Sequence, residues 1–307
     1  MDEVLQDLRR AEHLIPRGSR VLYLDVPNHF NVGDMLIFAG ARAFLADCGA
    51  NVIGYHSWGT FREAIIERLH EDVIVVLHGG GNFGDLYPTF QEFREEIVAA
   101  LPRHRIVVFP QTFHFSSHDA LRRSAAIFRS HRNVAILCRD RRTLDQAGEF
   151  CDETFLCPDM AHFLAPALRA YPRRRSRDTL FFARRDIEGA EGRKEQGRSY
   201  FDWGDLFGPG LRALFQGLRL TQRIERKTRL PVGQIATNAF QNLVIDRAAR
   251  YFVPYERVET DRMHAMLLAL MLGQEVTAFD NSYGKLSAYA DTWLGGIDRL
   301  SHRTKTA

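Results

Sequence analysis

Asp261, Arg262 and His264 stand together at the head of an unusually apolar segment, residues 263–272, and Lys285 stands just beyond the strand-like stretch that follows. These residue types can do chemistry together. An imidazole exchanges protons near neutral pH, a guanidinium fork or an ammonium holds an anion, and a carboxylate can take up a proton. The combination suggests proton transfer on an anionic substrate. A single histidine on an apolar helix is usually a core residue with its hydrogen bonds met. One within a turn of Asp and Arg, with a Lys at the lip of the next strand, is harder to explain that way. Asn281, Ser282 and Tyr283 share the Lys285 loop and count as substrate contacts with it.

Further candidates lie upstream. Asn31, Gly33 and Asp34 open an amphipathic pattern that ends near Gly49. A lone Asp there is first of all an N-cap, but Asn28, His29 and Asn31 in the same turn weigh equally for a functional role. Arg139 and Asp140 follow the run VAILC, and Asp159 follows TFLCP. An Arg at the lip of a sheet is either a surface residue or a bidentate clamp for phosphate or carboxylate. HGGGNFGD carries Gly79, Gly81 and Gly84 in the spacing of a dinucleotide fingerprint, with Gly80 and Asn82 between them. That fingerprint needs an acidic residue at the end of the next strand, which instead ends in Phe109-Pro110-Gln111-Thr112. What remains is a glycine-rich strand-to-helix turn whose N–H groups can approach a ligand, set against a plain tight turn.

The elements that must position these residues follow one pattern. Apolar runs end abruptly in polar residues or Gly, and a helical pattern follows, at 21–28, 51–58, 73–81, 106–112, 134–140 and 154–160. Such alternation predicts a parallel sheet covered on both faces, with ligands beyond the carboxyl ends of its strands. After residue 165 a Pro- and Arg-rich linker leads to TLFFARRD, read as the first strand of a second half. Residues 187–210 read as a long loop and 211–252 as helix. Thr260 or Asp261 is predicted to cap the apolar helix and Gly273 to end it. The expected fold is α/β, with two Rossmann-like doubly wound halves, 1–170 and 171–307, facing a cleft. The second half is short of strands.

Composition narrows the function. The 307 residues carry 41 basic and 38 acidic side chains, a net charge of +3 too balanced to indicate nucleic acid. Four cysteines without C-x-x-C spacing point to reduced thiols, and no apolar leader stands near the start, so a cytoplasmic location is expected. Basic clusters at 173–177 and 219–229 read as solvated surface. The minority alternative is peripheral contact with the anionic inner face of the cell membrane, at about 1 kcal/mol per basic residue.

In this order, the motifs Asn31-x-Gly33-Asp34, Gly79-Gly80-Gly81-Asn82, Pro110-Gln111-Thr112, Cys138-Arg139-Asp140, Pro158-Asp159, Thr260-Asp261-Arg262-Met263-His264-Ala265 and Asp280-Asn281-Ser282-Tyr283-Gly284-Lys285 resemble the polysaccharide pyruvyl transferase family, over residues 28–289. The resemblance implies the two-domain arrangement of GT-B glycosyltransferases. It also implies phosphoenolpyruvate as co-substrate, with no cofactor, and a pyruvate ketal on a hexose of a bacterial surface glycan carried by a lipid-linked acceptor. The positions matching Arg139, His264 and Lys285 are those expected to serve phosphoenolpyruvate, with Asp261 beside them. Met35 departs from the pattern, since many members carry an acidic residue there. The rival readings are a nucleotide-sugar glycosyltransferase on the same fold and a non-catalytic subunit of an assembly complex. No motif demands a metal.

Overall fold

The computed structural model describes residues 1–173, 175–185, 200–228, 232–280 and 284–303. The chain divides into two compact units. One comprises residues 2–28 and 40–163; the other comprises 29–39 and 164–307, together with Met1.

The first unit is built on a parallel seven-stranded sheet in the order β2-β1-β3-β5-β6-β7, with β4 paired to β5. Its strands are β1 (Arg20–Leu24), β2 (Asn51–His56), β3 (Ile74–Leu77), β4 (Gly80–Gly84), β5 (Ile106–His114), β6 (Val134–Cys138) and β7 (Glu153–Leu156). β3 and β6 are buried throughout, and β5 at every position but its last. Continuous apolar runs can sit in strands only when helices cover both faces, which is why the runs lack alternation. The edge strands β2 and β7 are more exposed. From β1 the chain steps out to β2, then returns to β3 on the other side of β1. The order therefore reverses between β1 and β3, and in open α/β sheets the crevice at such a reversal is where ligands bind.

The glycine-rich stretch is not the strand-to-helix turn read from the sequence. Gly80–Gly84 forms β4 and continues the sheet alongside the second half of β5. A side chain at Gly84 would collide with the His114 carbonyl oxygen, and a Cβ at Gly79 would lie 2.8 Å from the Pro110 oxygen. Gly80 and Gly84 also take φ of 136° and 120°. These glycines are needed because one backbone lies almost on another. Beneath β4, Phe83 stacks on Phe113 at 4.0 Å and packs with Phe128 and Phe150.

The second unit holds a four-stranded parallel sheet, β11-β10-β9-β8, formed by β8 (Arg177–Phe182), β9 (Tyr255–Thr260), β10 (Glu275–Phe279) and β11 (Leu300–Arg303). β11 answers the expected shortage of strands; its four residues Leu-Ser-His-Arg carry no apolar periodicity. The apolar helix is Met263–Met271, with every residue from Ala265 onward buried. Gly273, at φ 77°, ends it as predicted. Its N–H donates to the Leu270 carbonyl and that of Gln274 to the Ala269 carbonyl, a Schellman closure.

Other expectations for this unit are corrected. The N-cap of the apolar helix is Arg262, not Thr260 or Asp261. Residues 200–210 are not simply loop. Asp202 and Asp205 form a capping box on the Trp203–Leu206 helix, and Trp203 packs 4.4 Å from Phe182. Nor is the 173–177 stretch wholly solvated, because Arg175 donates to the carbonyls of Val253, Tyr255 and Leu272. The Val253 and Leu272 carbonyls lie at the C-terminal ends of the Val232–Phe252 and apolar helices, where a cation is favoured.

Candidate active site

In the first unit the predicted residues gather at the carboxyl ends of the strands. Arg139, one residue past β6, is 3% exposed. Its Nη1 donates to Asp159 at 2.6 Å and its Nε to the Thr112 hydroxyl at 3.2 Å. The Thr112 hydroxyl in turn donates to Asp140 at 2.9 Å, and Asp140 caps the Arg141–Ala147 helix by accepting from Thr143 N at 2.8 Å. Asp159 is held by the Ala161 N–H at 2.8 Å. Two edges of the guanidinium are thus fixed by groups that are themselves fixed. The third, Nη2, lies 3.1 Å from where a Cβ on Gly81 would stand. A side chain at 81 would therefore press on that edge.

Gln111 and Asn82 are held by other partners. Gln111 is fully buried and donates to the His78 carbonyl at 2.6 Å. Asn82 accepts from Arg94, both at its backbone oxygen (3.0 Å) and at Oδ1 (2.6 Å). The Arg94 Nη2 group also donates to Asp25 at 2.6 Å. Asp25, directly after β1, is the one non-glycine residue with positive φ among the described residues, at 64°. Close by, the buried Tyr23 hydroxyl hydrogen-bonds His78 at 2.6 Å. Burial, then the charge of Asp25, pushes the Tyr23 phenol well above its ordinary range, so it stays protonated. Burial likewise drives the Cys138 and Cys157 thiols up, with Asp140 and Asp159 respectively adding to it. That agrees with packing rather than chemistry for both cysteines.

In the second unit, Asn31 rather than Asp34 caps the Val32–Asp47 helix, its Oδ1 accepting from Gly33 N at 3.0 Å. Asp34 sits in the first turn and accepts from the Asn31 amide at 2.8 Å, with His29 Nε2 2.6 Å away. The structure brings Gly33 and His264 into contact. A Cβ on Gly33 would fall 2.7 Å from His264 Nδ1, so the imidazole lies flush on the helix backbone. Asp261 is buried and accepts from the Arg184 N–H at 2.8 Å, just past β8. Arg262 pairs through Nε and Nη2 with Asp202, the latter at 2.7 Å. Lys285 opens the Lys285–Trp293 helix. Asn281, Ser282 and Tyr283 lie outside the described residues.

Asp25, Arg94 and Asp202 escaped the sequence reading. Asp25 had a visible signal, since it interrupts VLYL at a strand end. Arg94, within QEFREE, looks like any solvated helix face. Asp202 had a faint one in the D-W-G-D spacing of its capping box.

One unit thus carries a buried, braced guanidinium at the carboxyl end of a parallel α/β sheet, and the other an imidazole seated on a helix start. The family model for polysaccharide pyruvyl transferase matches residues 31–283, and the chain belongs to that family. It is 35% identical over 302 residues to a Bacillus subtilis (strain 168) protein named as a pyruvyl transferase, EpsO, covering 97% of this chain and 92% of that protein. It is 27% identical over 304 residues to pyruvyl transferase 1 of Schizosaccharomyces pombe, covering 93% and 72% respectively. A Klebsiella pneumoniae protein of uncharacterized function shares the fold, with a TM-score of 0.65 at 20% identity over 99% of this chain and 98% of that one. The protein is accordingly a transferase of the pyruvyl class acting in polysaccharide synthesis. Among the described residues, no helix is long and apolar enough to cross a membrane.

Proposed function

We propose that the protein transfers the pyruvyl group of phosphoenolpyruvate to two hydroxyls of one hexose in a surface-glycan repeat unit, forming a cyclic ketal and releasing phosphate. The observation that carries this reading is Arg139: a buried guanidinium at the carboxyl end of a parallel sheet, held in place by Asp159 and Thr112. That is a suitable receptor for a carboxylate or phosphate, and a lysine could not reproduce its planar fork.

The chemistry balances with the groups at hand. Protonation of the methylene carbon of the enol ether makes a methyl group and leaves the adjacent carbon electron-poor. One acceptor hydroxyl adds there and loses its proton. The C–O bond to phosphate then breaks, the second hydroxyl adds, and its proton leaves with phosphate. His264 serves as the acid for the first step, and Arg139 with Lys285 holds the donor's charges. Asp34 and Asp261 are the carboxylates on hand as base. The GT-B-like pairing of the units, a lipid-linked acceptor and peripheral membrane contact through the arginine-rich stretches belong to the same proposal.

Calorimetric titration with phosphoenolpyruvate and with a panel of nucleotide sugars tests it. Phosphoenolpyruvate should bind, and Lys285→Ala should weaken that binding by roughly 2–5 kcal/mol, the scale for leaving a buried charge without its partner. Incubation with a lipid-linked repeat unit should release phosphate and add a pyruvate ketal detectable by mass and NMR. Binding of a nucleotide sugar in place of phosphoenolpyruvate would make the protein a glycosyltransferase; binding of neither would favour a non-catalytic subunit.

A further inference from the structure

The Asp25–Arg94–Asn82 cluster has a cost that packing alone does not explain. Arg94 is 0% exposed and Asp25 3% exposed. Burying an ion pair gains little over well-packed apolar residues of similar size. Asp25 also holds a left-handed backbone at φ 64°, a conformation that a glycine adopts without strain. Glycine there would take from the buried Arg94 the carboxylate it meets at 2.6 Å. The strained residue is Asp because its carboxylate is needed.

What the pair achieves can be read from its third member. Arg94 reaches from the Pro88–Ala100 helix across to β4, where it holds Asn82 at two points, the backbone oxygen and Oδ1. Arginine has only donors, so the atom of the Asn82 amide that faces it must be oxygen. The NH₂ end of the amide is therefore the end turned away from Arg94. Asn82 is half-buried and adjoins Gly81, where a side chain would press on Arg139. Asp25 itself follows β1, at the reversal of strand order between β1 and β3, the position where α/β sheets bind ligands.

We propose that Asn82 donates through Nδ2 to an oxygen of the anionic substrate, and that Arg94 and Asp25 are positioning residues that fix the amide in that sense. This rests on the phosphoenolpyruvate reading given above. Arg94 and Asp25 touch no substrate; they determine that Asn82 offers a donor, not an acceptor, one residue along β4 from Gly81. Without them the amide could rotate and present its oxygen to a ligand oxygen, which is repulsive.

The test uses Asn82→Asp in the full-length protein. This change keeps the size and the oxygen facing Arg94 but replaces the NH₂ donor by a second carboxylate oxygen. Thermal unfolding should stay close to wild type. Phosphoenolpyruvate affinity, read by calorimetry, should fall roughly 10- to 100-fold, the scale of a hydrogen bond to a charged group. Asn82→Ser, which keeps a small donor, should recover part of that loss. Arg94→Lys is the companion variant: a single ammonium cannot keep both contacts to Asn82 and the one to Asp25, so KM for phosphoenolpyruvate should rise more than kcat falls. If Arg94→Lys does not fold, the Asn82 pair still decides. Wild-type affinity in Asn82→Asp would overturn the inference and leave the function standing. Failure of the wild-type protein to bind phosphoenolpyruvate would overturn both.

Discussion

The two units place their charged groups on different kinds of element. At the sheet end of the first unit, Arg94 and Arg139 are buried beside their own carboxylates, Asp25 and Asp159, with ion-pair distances of 2.6 Å in both cases. Each partner is set by a strand end, and a strand end in a covered parallel sheet has no freedom to drift. In the second unit, the residues at the head of the apolar helix are held instead by a backbone N–H past β8, a helix cap and a helix start, over separations like the 69 positions between Asp25 and Arg94. Asp261 takes the N–H of Arg184, 77 positions distant, and Arg262 takes Asp202, 60 positions distant. His264 rests on Gly33, in a stretch that precedes nearly all of the first unit. Rigid strand ends suit fixed anion recognition. Under the proposed function the His264 ring must exchange a proton, and a half-buried helix start leaves it within reach of one.

Several substitutions would break or sharpen this contrast. The largest effect is expected at His264. His264→Ala should leave phosphoenolpyruvate affinity nearly intact and lower turnover by about 10²–10⁴-fold, the usual scale for losing a positioned acid. His264→Asn, which keeps the shape but transfers no proton, should be equally slow. An Asn variant with most of the wild-type rate would make His264 a positioning group and move the acid to Asp34, Asp159 or Asp261.

In the first unit the main cost should be stability. Asp25→Asn tolerates the same backbone but removes the counter-charge from a fully buried guanidinium, so chemical denaturation should show a loss of about 3–5 kcal/mol. A loss below about 1 kcal/mol would mean that water reaches Arg94 and that the sheet end is less dry than its burial indicates.

A smaller and more selective effect is expected for Gly33→Ala. The added methyl would stand 2.7 Å from His264 Nδ1 and must displace the ring. Within a helix, Ala itself is favoured over Gly by up to about 1 kcal/mol. Thermal stability should therefore hold or rise while turnover drops by roughly 10- to 100-fold, the cost of a small misplacement of a catalytic group. Unchanged turnover would detach the Gly33 contact from function.

The smallest effect concerns pH. Burial lowers the His56 imidazole, at the end of β2, from its ordinary 6.5 to about 4. The unfolded chain then binds a proton that the folded chain refuses between those two values, so stability falls as pH drops through that window and is unaffected above it. His56→Gln should flatten the decline in midpoint denaturant concentration between pH 6.5 and 4 relative to wild type. An identical slope in both proteins would assign the decline to other groups.

Much of the fold was legible because burial on both faces forces a simple spelling. The runs at 21–24, 74–77, 106–109 and 134–138 are apolar throughout, and strands β1, β3, β5 and β6 lie there. The 263–272 segment and Gly273 likewise spelled a buried helix and its stop. β11 was not legible, since an edge strand of four residues needs no apolar pattern. The glycine stretch misled for a related reason. Glycine marks close approach, but the sequence does not say of what, and at Gly79 and Gly84 it is the backbone of β5.

The site divides along the same line. Arg139, Asp159, Asp34 and His264 could be named from the sequence because each breaks an apolar or helical pattern at an element end, where polar groups have little structural reason to cluster. Their partners could not be named. Local sequence fixes which residues sit at the ends of strands and helices, because hydrophobic periodicity and capping act over a few residues. Which side chain faces which depends on strand order and helix packing over dozens of residues. So only the tertiary structure set Arg94 against Asp25 and Asn82, Arg262 against Asp202, and the His264 ring on the bare backbone of Gly33.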